Sequence, residues 1–210
     1  MSDDSRARFG AGAEAWADYN QKPLGRIRRE VTWHNLAPHL PKVAGEGAPP
    51  RVLDVGGGSG ELALRLAQQG YGVWLLDYAP AMLDQARQWA SAAQDDVCTR
   101  LTLCLMSVDD ATAAFSPGFF DAITCHTLVE YLPEPRDALN GLAGLLRSGG
   151  LLSLSFVNRH AEVLRQVWSR GDPAGALCKL EQGGFCARLF DLPGIAYTEE
   201  EASGWSVSYT

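Results

Sequence analysis

The stretch Arg51–Ala67, RVLDVGGGSGELALRLA, decides the fold of this chain. A short apolar run broken by one acid, Asp54, leads into four glycines in five positions: Gly56, Gly57, Gly58 and Gly60. A helical pattern carrying Leu62, Leu64 and Leu66 follows at once. A glycine turn between strand and helix lets backbone approach a nucleotide-like ligand closely. Several ligand classes use such a turn, so the residues around the glycines must choose among them. No Gly-Lys-Ser/Thr follows, which excludes a nucleoside-triphosphate loop. Gly58-x-Gly60-x-x-Ala63 fits the dinucleotide pattern as written. Asp54 argues against it, because a carboxylate ending the strand would repel a pyrophosphate. Glu61, opening the helix, is equally poor for phosphate although it suits the helix dipole. A carboxylate at Asp54 suits a ligand with a cationic amino group.

Working outward, short apolar runs alternate with helical patterns. Residues 51–56, 71–77, 100–106, 119–126 and 150–158 are near-continuously apolar, as parallel strands covered on both faces should be. Helices are expected over 60–69, 80–93 and 134–147; Pro80 suits a first helical turn and Arg147-Ser148-Gly149-Gly150 a helix stop. This βαβα order predicts an α/β fold with a doubly wound, mostly parallel, Rossmann-like sheet. At 210 residues one domain is expected, with residues 1–48 as an N-terminal helical cap and 49–210 as the binding domain, separated by GEGAPP at 45–50. Near the end, GWSVSYT reads as a strand alternating Trp205, Val207 and Tyr209. A last strand hairpin is expected to be missing: either the sheet is short here, or the protein continues.

Composition narrows the partners. A net charge of −7 gives no global signal for nucleic acid, although a local basic face would be enough. Five scattered cysteines without a C-x-x-C read as reduced thiols, three of them in strand-like apolar segments. No metal is expected. No apolar run approaches about 18 residues and the N-terminus has no apolar leader core, so no membrane partner and a cytoplasmic location are expected.

With Asp54 and the glycines together, VLDVGGGSG resembles the first motif of class I S-adenosylmethionine-dependent methyltransferases. Asp77 ends the second strand about twenty residues on, where a carboxylate can accept from both ribose hydroxyls. Ser107-Val108-Asp109, FFDAITCHTLVEYL and LLRSGGLLSLSF are similar to later landmarks of that superfamily, with Ser148 replacing a proline in the last. The resemblance covers about residues 50–158 and implies S-adenosylmethionine as cofactor. It implies Gly56, Gly57, Gly58 and Gly60 under the amino-acid end, with Asp77, Tyr78 and Met82 at the ribose side. Ser107 and Val108 would hold the adenine edge.

Outside the shared core, PLGRIRREVTWHNL, CHTLVEYL and SLSFVNRH resemble the bacterial tRNA 5-carboxymethoxyuridine methyltransferases, which methyl-esterify a carboxymethoxy group on wobble uridine. That resemblance implies that Arg28 contacts the cofactor's carboxylate and that His126 lies at the cofactor pocket. Asn158 and His160, at the end of the fifth strand, become candidates for orienting the acceptor together with His126. Helical periodicity places Arg28 on the face of Leu24, Ile27 and Val31, with Arg26 and Arg29 elsewhere. Trp16 and Tyr19 could close over the site. Lys22, Arg26, Arg29, Arg159, Arg165 and Arg170 would form a phosphate-facing rim if both segments border the mouth. Transfer from a sulfonium needs alignment and exclusion of water, so no conventional catalytic residue is expected for a carboxylate acceptor. The expected activity is methyl transfer, with tRNA as the leading acceptor. The alternatives are a small-molecule methyltransferase and a cofactor-binding but catalytically silent regulatory subunit.

Overall fold

A computed structural model describes residues 3–43, 47–93 and 95–205. Three helices open the chain: α1 (Asp3–Ala11), α2 (Ala13–Gln21) and α3 (Pro23–Leu36), the last running into a 3-10 turn, Ala37–His39. The central unit is β1 (Arg51–Val55), α4 (Glu61–Gln68), β2 (Gly72–Asp77), α5 (Pro80–Ser91), α6 (Asp95–Arg100), β3 (Leu101–Leu105), α7 (Val108–Ala114) and β4 (Phe120–His126). After a 3-10 turn at Val129–Tyr131 come α8 (Pro135–Gly144) and β5 (Leu146–Ser155). The remainder is α9 (Arg159–Arg170), α10 (Pro173–Gln182), β6 (Gly184–Ala187), β7 (Leu192–Ile195) and α11 (Glu199–Ser203).

The main sheet is parallel throughout, in the order β3-β2-β1-β4-β5. The order reverses between β1 and β4, and a crevice opens outside the carboxyl ends of strands at such a point. Side chains alternate across β1. Leu53 and Val55 join Phe120, Ile123 and Leu142 on one face. Val52 joins Ala63, Leu66, Leu83 and Ala86 on the other. Burial on both faces explains why these strands read as continuous apolar runs.

The doubly wound sheet is as expected, and its main part stops at β5. A two-stranded antiparallel hairpin, β6–β7, stands apart from it. Helix α8 ends at Gly144 rather than 147, because Leu146 already pairs with Phe120. Pairing resumes at Ala122 with Leu151, so residues 147–150 of β5 bulge out of the ladder, with Arg147 Nε donating to Asp121 Oδ1 at 2.6 Å. Strand β5 ends at Ser155 and not at 158, since Asn158 caps α9. Of the strand-borne cysteines Cys104 and Cys125 are buried, whereas Cys186 is exposed. Val207 and Tyr209, assigned to a final strand, lie outside the described residues, and Trp205 lies in a turn packed edge-on to Tyr197.

Phe120 is fully buried and meets Trp74, Phe115 and Phe119 edge-on. Phe120→Ala should cost about 3–5 kcal/mol. A urea titration should show a lower midpoint with an unchanged slope.

Candidate active site

A cavity of about 1000 Å³ opens at the carboxyl ends of β1 and β4. Its floor is the glycine turn. Gly57 has no room for a side chain, since a Cβ there would sit 2.3 Å from Leu75 Cδ1 and 2.5 Å from Asp54 Oδ2. Gly60 begins α4 in the left-handed region at φ +82°, which glycine adopts without strain. The turn therefore presents bare backbone to the cavity, beside the side chain of Asp54.

Asp54 is 2% exposed. Thr124 Oγ1 donates to its Oδ1 at 2.7 Å, and Oδ2 is buried with no hydrogen-bond partner among the described residues. Burial pushes this carboxyl up to about 7, helped by Glu61 and Asp77, while the Thr124 hydrogen bond opposes the rise. Asp77 accepts from the amides of Gly58 and Ala79, both at 2.9 Å, and burial still raises it to about 6. Carboxylate oxygens have further lone pairs, so Asp77 can also accept from a ligand diol.

The N-terminal helices form the opposite wall, where Phe9, Trp16, Arg28 and Arg29 line the cavity. The Arg28 guanidinium stacks 4.5 Å from the Trp16 ring centroid and donates to Asn20 Oδ1 at 3.2 Å. Asn20, itself fully buried, donates to Glu61 Oε1, which also accepts from Ser59 Oγ at 3.0 Å. Desolvation lowers the Arg28 pKa, and its Nε has no partner among the described residues. The helix-face reading is corrected here. Leu24, Ile27 and Val31 are 66%, 61% and 56% exposed, so that apolar stripe faces outward. Arg28 sits at its inner margin, and Arg29, placed elsewhere by the periodicity, turns inward with it. The absence of a polar contrast around α3 hid which side was core.

His126 ends β4 and meets Ser153 Oγ at 2.9 Å. Burial first, then the nearby Arg28 charge, lowers it to about 4, so it is a neutral imidazole at neutral pH. Thr127 follows at φ +52°, a conformation that is strained for a β-branched residue and placed on the cavity wall.

The structure thus brings Arg28, Asp54, Gly56, Gly57, Gly58, Asp77, Met82 and His126 to one cavity. Gly60, the N-cap of α4, does not line it. Tyr78, Ser107 and Val108 line a narrow side crevice that shares Gly56 and Asp77 with the main site. Asn158 and His160 are not brought there. Asn158 is exposed and accepts from Ala161 N at 3.1 Å as an N-cap, and His160 is exposed. Half of the basic rim is neutralised by pairing: Lys22 with Asp18, Arg159 with Glu201, and Arg165 with Glu162. Arg165 and Arg188 nonetheless line the cavity.

Sequence reading missed Asn20, Glu61 as a hydrogen-bonded link, and Glu130. Glu130 is 2% exposed in the turn after β4 and lines the cavity. An acid inside the apolar run TLVEYL was its available signal. Among the described residues no cluster of His, Cys, Asp or Glu could hold a metal, and no helix is long and apolar enough to cross a membrane.

The raised Asp54 carboxyl gives a stability signature. Between its unfolded value near 4 and its folded value near 7 the native state binds the extra proton, so ligand-free stability falls as pH rises through that window. The loss amounts to at most about 4 kcal/mol. Asp54→Asn keeps the acceptor for Thr124 and cannot ionise. It should flatten that slope and raise the melting temperature at pH 8; parallel slopes in thermal melts would count against this assignment.

Comparison with known proteins agrees with this geometry. The family described as "Methyltransferase domain" matches residues 53–154. The chain is 34% identical over 145 residues to the tRNA 5-carboxymethoxyuridine methyltransferase of Escherichia coli, covering 68% of this chain and 53% of that protein. It is 40% identical over 157 residues to a ubiquinone biosynthesis O-methyltransferase of Xanthomonas campestris, covering 72% and 60%. The chain thus spans between half and three-fifths of the length of these relatives. An S-adenosylmethionine-dependent methyltransferase from Mesorhizobium loti shares the fold with a TM-score of 0.60 at 20% identity, over 82% of this chain and 77% of that one. Strand order, glycine turn and sequence relatives converge: residues 53–154 form a methyltransferase domain of the class I, S-adenosylmethionine-dependent type.

Proposed function

We propose that this protein transfers a methyl group to an anionic oxygen, and that the leading acceptor is the carboxymethoxy group of wobble uridine in tRNA. The residues fit the cofactor. The orphaned Asp54 Oδ2 suits its ammonium, the buried Arg28 its carboxylate, the bare Gly57 backbone its amino-acid chain and Asp77 its ribose. Tyr78, Ser107 and Val108 suit the adenine side, and residues 1–48 act as the cap. When bound, S-adenosylmethionine supplies a methyl group already activated on sulfur. The protein's own part is to hold the two reactants in line and to keep water out, which Phe9, Trp16 and the apolar cavity wall favour.

The observation that carries the anionic acceptor is a second inward-facing guanidinium. Arg28 is enough for the cofactor's carboxylate, yet Arg29 also lines the cavity, and its buried Nε has no hydrogen-bond partner among the described residues. Planar guanidinium groups recognise carboxylates by paired hydrogen bonds. A carboxylate brings its own electron pair, so no base is required, and a neutral His126 serves as a polar wall rather than a proton acceptor. A second reading, a phenolic small molecule, rests on the aromatic lining by Tyr131, Phe156, Phe185 and Phe190 and on the relative named as an O-methyltransferase of ubiquinone biosynthesis.

Two measurements test this. Calorimetry should show binding of S-adenosylmethionine and none of NADH, and Arg28→Ala should weaken the cofactor at least about tenfold, the worth of a charge-assisted pair. An unchanged affinity would remove Arg28 from its role. Incubation with labelled cofactor and bulk tRNA, followed by nucleoside mass analysis, should yield a methyl ester on uridine. Labelling of phenolic acids instead would favour the second reading, and cofactor binding without any transfer would favour a silent subunit.

A further inference from the structure

Glu130 has no place in the scheme above, and its surroundings are unusual for an acid. It sits in the 3-10 turn that follows β4, is 2% exposed, and lines the same cavity as Arg28 and His126. Neither carboxyl oxygen has a well-formed hydrogen bond among the described residues, and only the amides of Glu130 itself and Val157 approach the carboxyl as donors. The groups facing it are Arg28 from α3, Cys125 from β4, its neighbour Tyr131, and Tyr197 ahead of α11. Arg28 alone is cationic, and Asn20 and the proposed cofactor carboxylate already claim it. A buried carboxylate needs a dedicated partner. A buried carboxylic acid needs an acceptor for its single O–H.

We propose that Glu130 acts as a neutral carboxylic acid that donates a hydrogen bond to the acceptor's carboxylate, and so determines specificity for a carboxylate over its ester or amide. This deepens the anionic-acceptor reading and rests on it. The pair would share one proton in a charge-assisted bond. That bond engages one oxygen of the acceptor and leaves the other free to attack. Once the acceptor is an uncharged ester the bond weakens, which favours release of product. Burial raises Glu130 to about 7, with the Glu130 and Val157 amides and Arg28 opposing only in part, so a large neutral fraction exists at neutral pH.

The test uses phenoxyacetate, a carboxymethoxy group on an aromatic ring, titrated calorimetrically into the protein saturated with S-adenosylhomocysteine between pH 5.5 and 8.5. The wild-type association constant should fall about tenfold per pH unit above about 7. Glu130→Gln retains a donor that cannot ionise and should flatten the profile. Asp54 and Asp77 titrate nearby but are common to both proteins, so the difference between profiles isolates Glu130. Glu130→Ala should lose at least about tenfold at pH 6 while S-adenosylhomocysteine still binds. A wild-type profile that is flat or rises with pH, the same profile in Glu130→Gln, or no binding at any pH would each overturn the proposal. Glu130-dependent binding with no methyl ester formed in tRNA would remove tRNA as the acceptor and leave this inference standing.

Discussion

The burial of one carboxylate, Asp54, sets the terms for the rest of the structure. A strand that is apolar on both faces gains by excluding water, yet at its carboxyl end it carries an acid whose second oxygen has no hydrogen-bond partner among the described residues. Left alone, such a group costs free energy, whether it ionises in a poorly solvated place or takes up a proton. A cationic ligand that donates to it removes that cost. The glycine turn and the topological switch bring backbone and ligand close, but many cofactors tolerate that geometry. Asp54, buried with one oxygen unpartnered among the described residues, is the feature of the turn that a pyrophosphate would not suit.

The same logic ties the cap to the sheet. Arg28, Asn20, Glu61 and Ser59 form a continuous polar chain from α3, through α2, to the start of α4. Asn20 is fully buried and bridges both sides as acceptor and donor, so the N-terminal helices and the glycine turn are positioned together. Phe9 and Trp16 add an apolar seam by packing on Phe190 of the segment between β6 and β7. A charge network on one side and aromatic packing on the other enclose the cavity between them. Hydrogen bonds in such an enclosed site are stronger than in water, and an unsatisfied group there is correspondingly more costly.

The central fold was legible because its signals are local. Continuous apolar runs, a proline at the first turn of α5 and glycines after β1 each constrain the chain within a few residues. Asp54 and Asp77 were legible for the same reason, as acids ending apolar strands. Legibility failed where the decisive fact lies across the fold. Nothing within α3 says which side the sheet covers, so Arg28 was placed with Leu24, Ile27 and Val31, although those three face outward. Arg159 and Arg165 read in the sequence as members of a phosphate-facing rim, but across the fold Glu201 and Glu162 pair with them. Asn158 looked like part of a strand end, but its side chain caps α9.

Charge balance explains why the acceptor is harder to read than the cofactor. Glu30, Asp54, Glu61, Asp77, Glu130 and Glu162 supply acids to the cavity, and Arg28, Arg29, Arg65, Arg165 and Arg188 supply guanidinium groups. Arg65 pairs with Glu30 and Arg165 with Glu162, so that with Asp54, Asp77 and Arg28 proposed for the cofactor and Glu61 held by Asn20 and Ser59, Glu130 remains with Arg29 and Arg188. Such a remainder does not suit a cationic acceptor, which would meet repulsion from the arginines. It suits an anion better, provided that Glu130 keeps its proton. On the proposed reading, acceptance of that anion would turn on the protonation of a single buried side chain, a property that no local sequence pattern encodes.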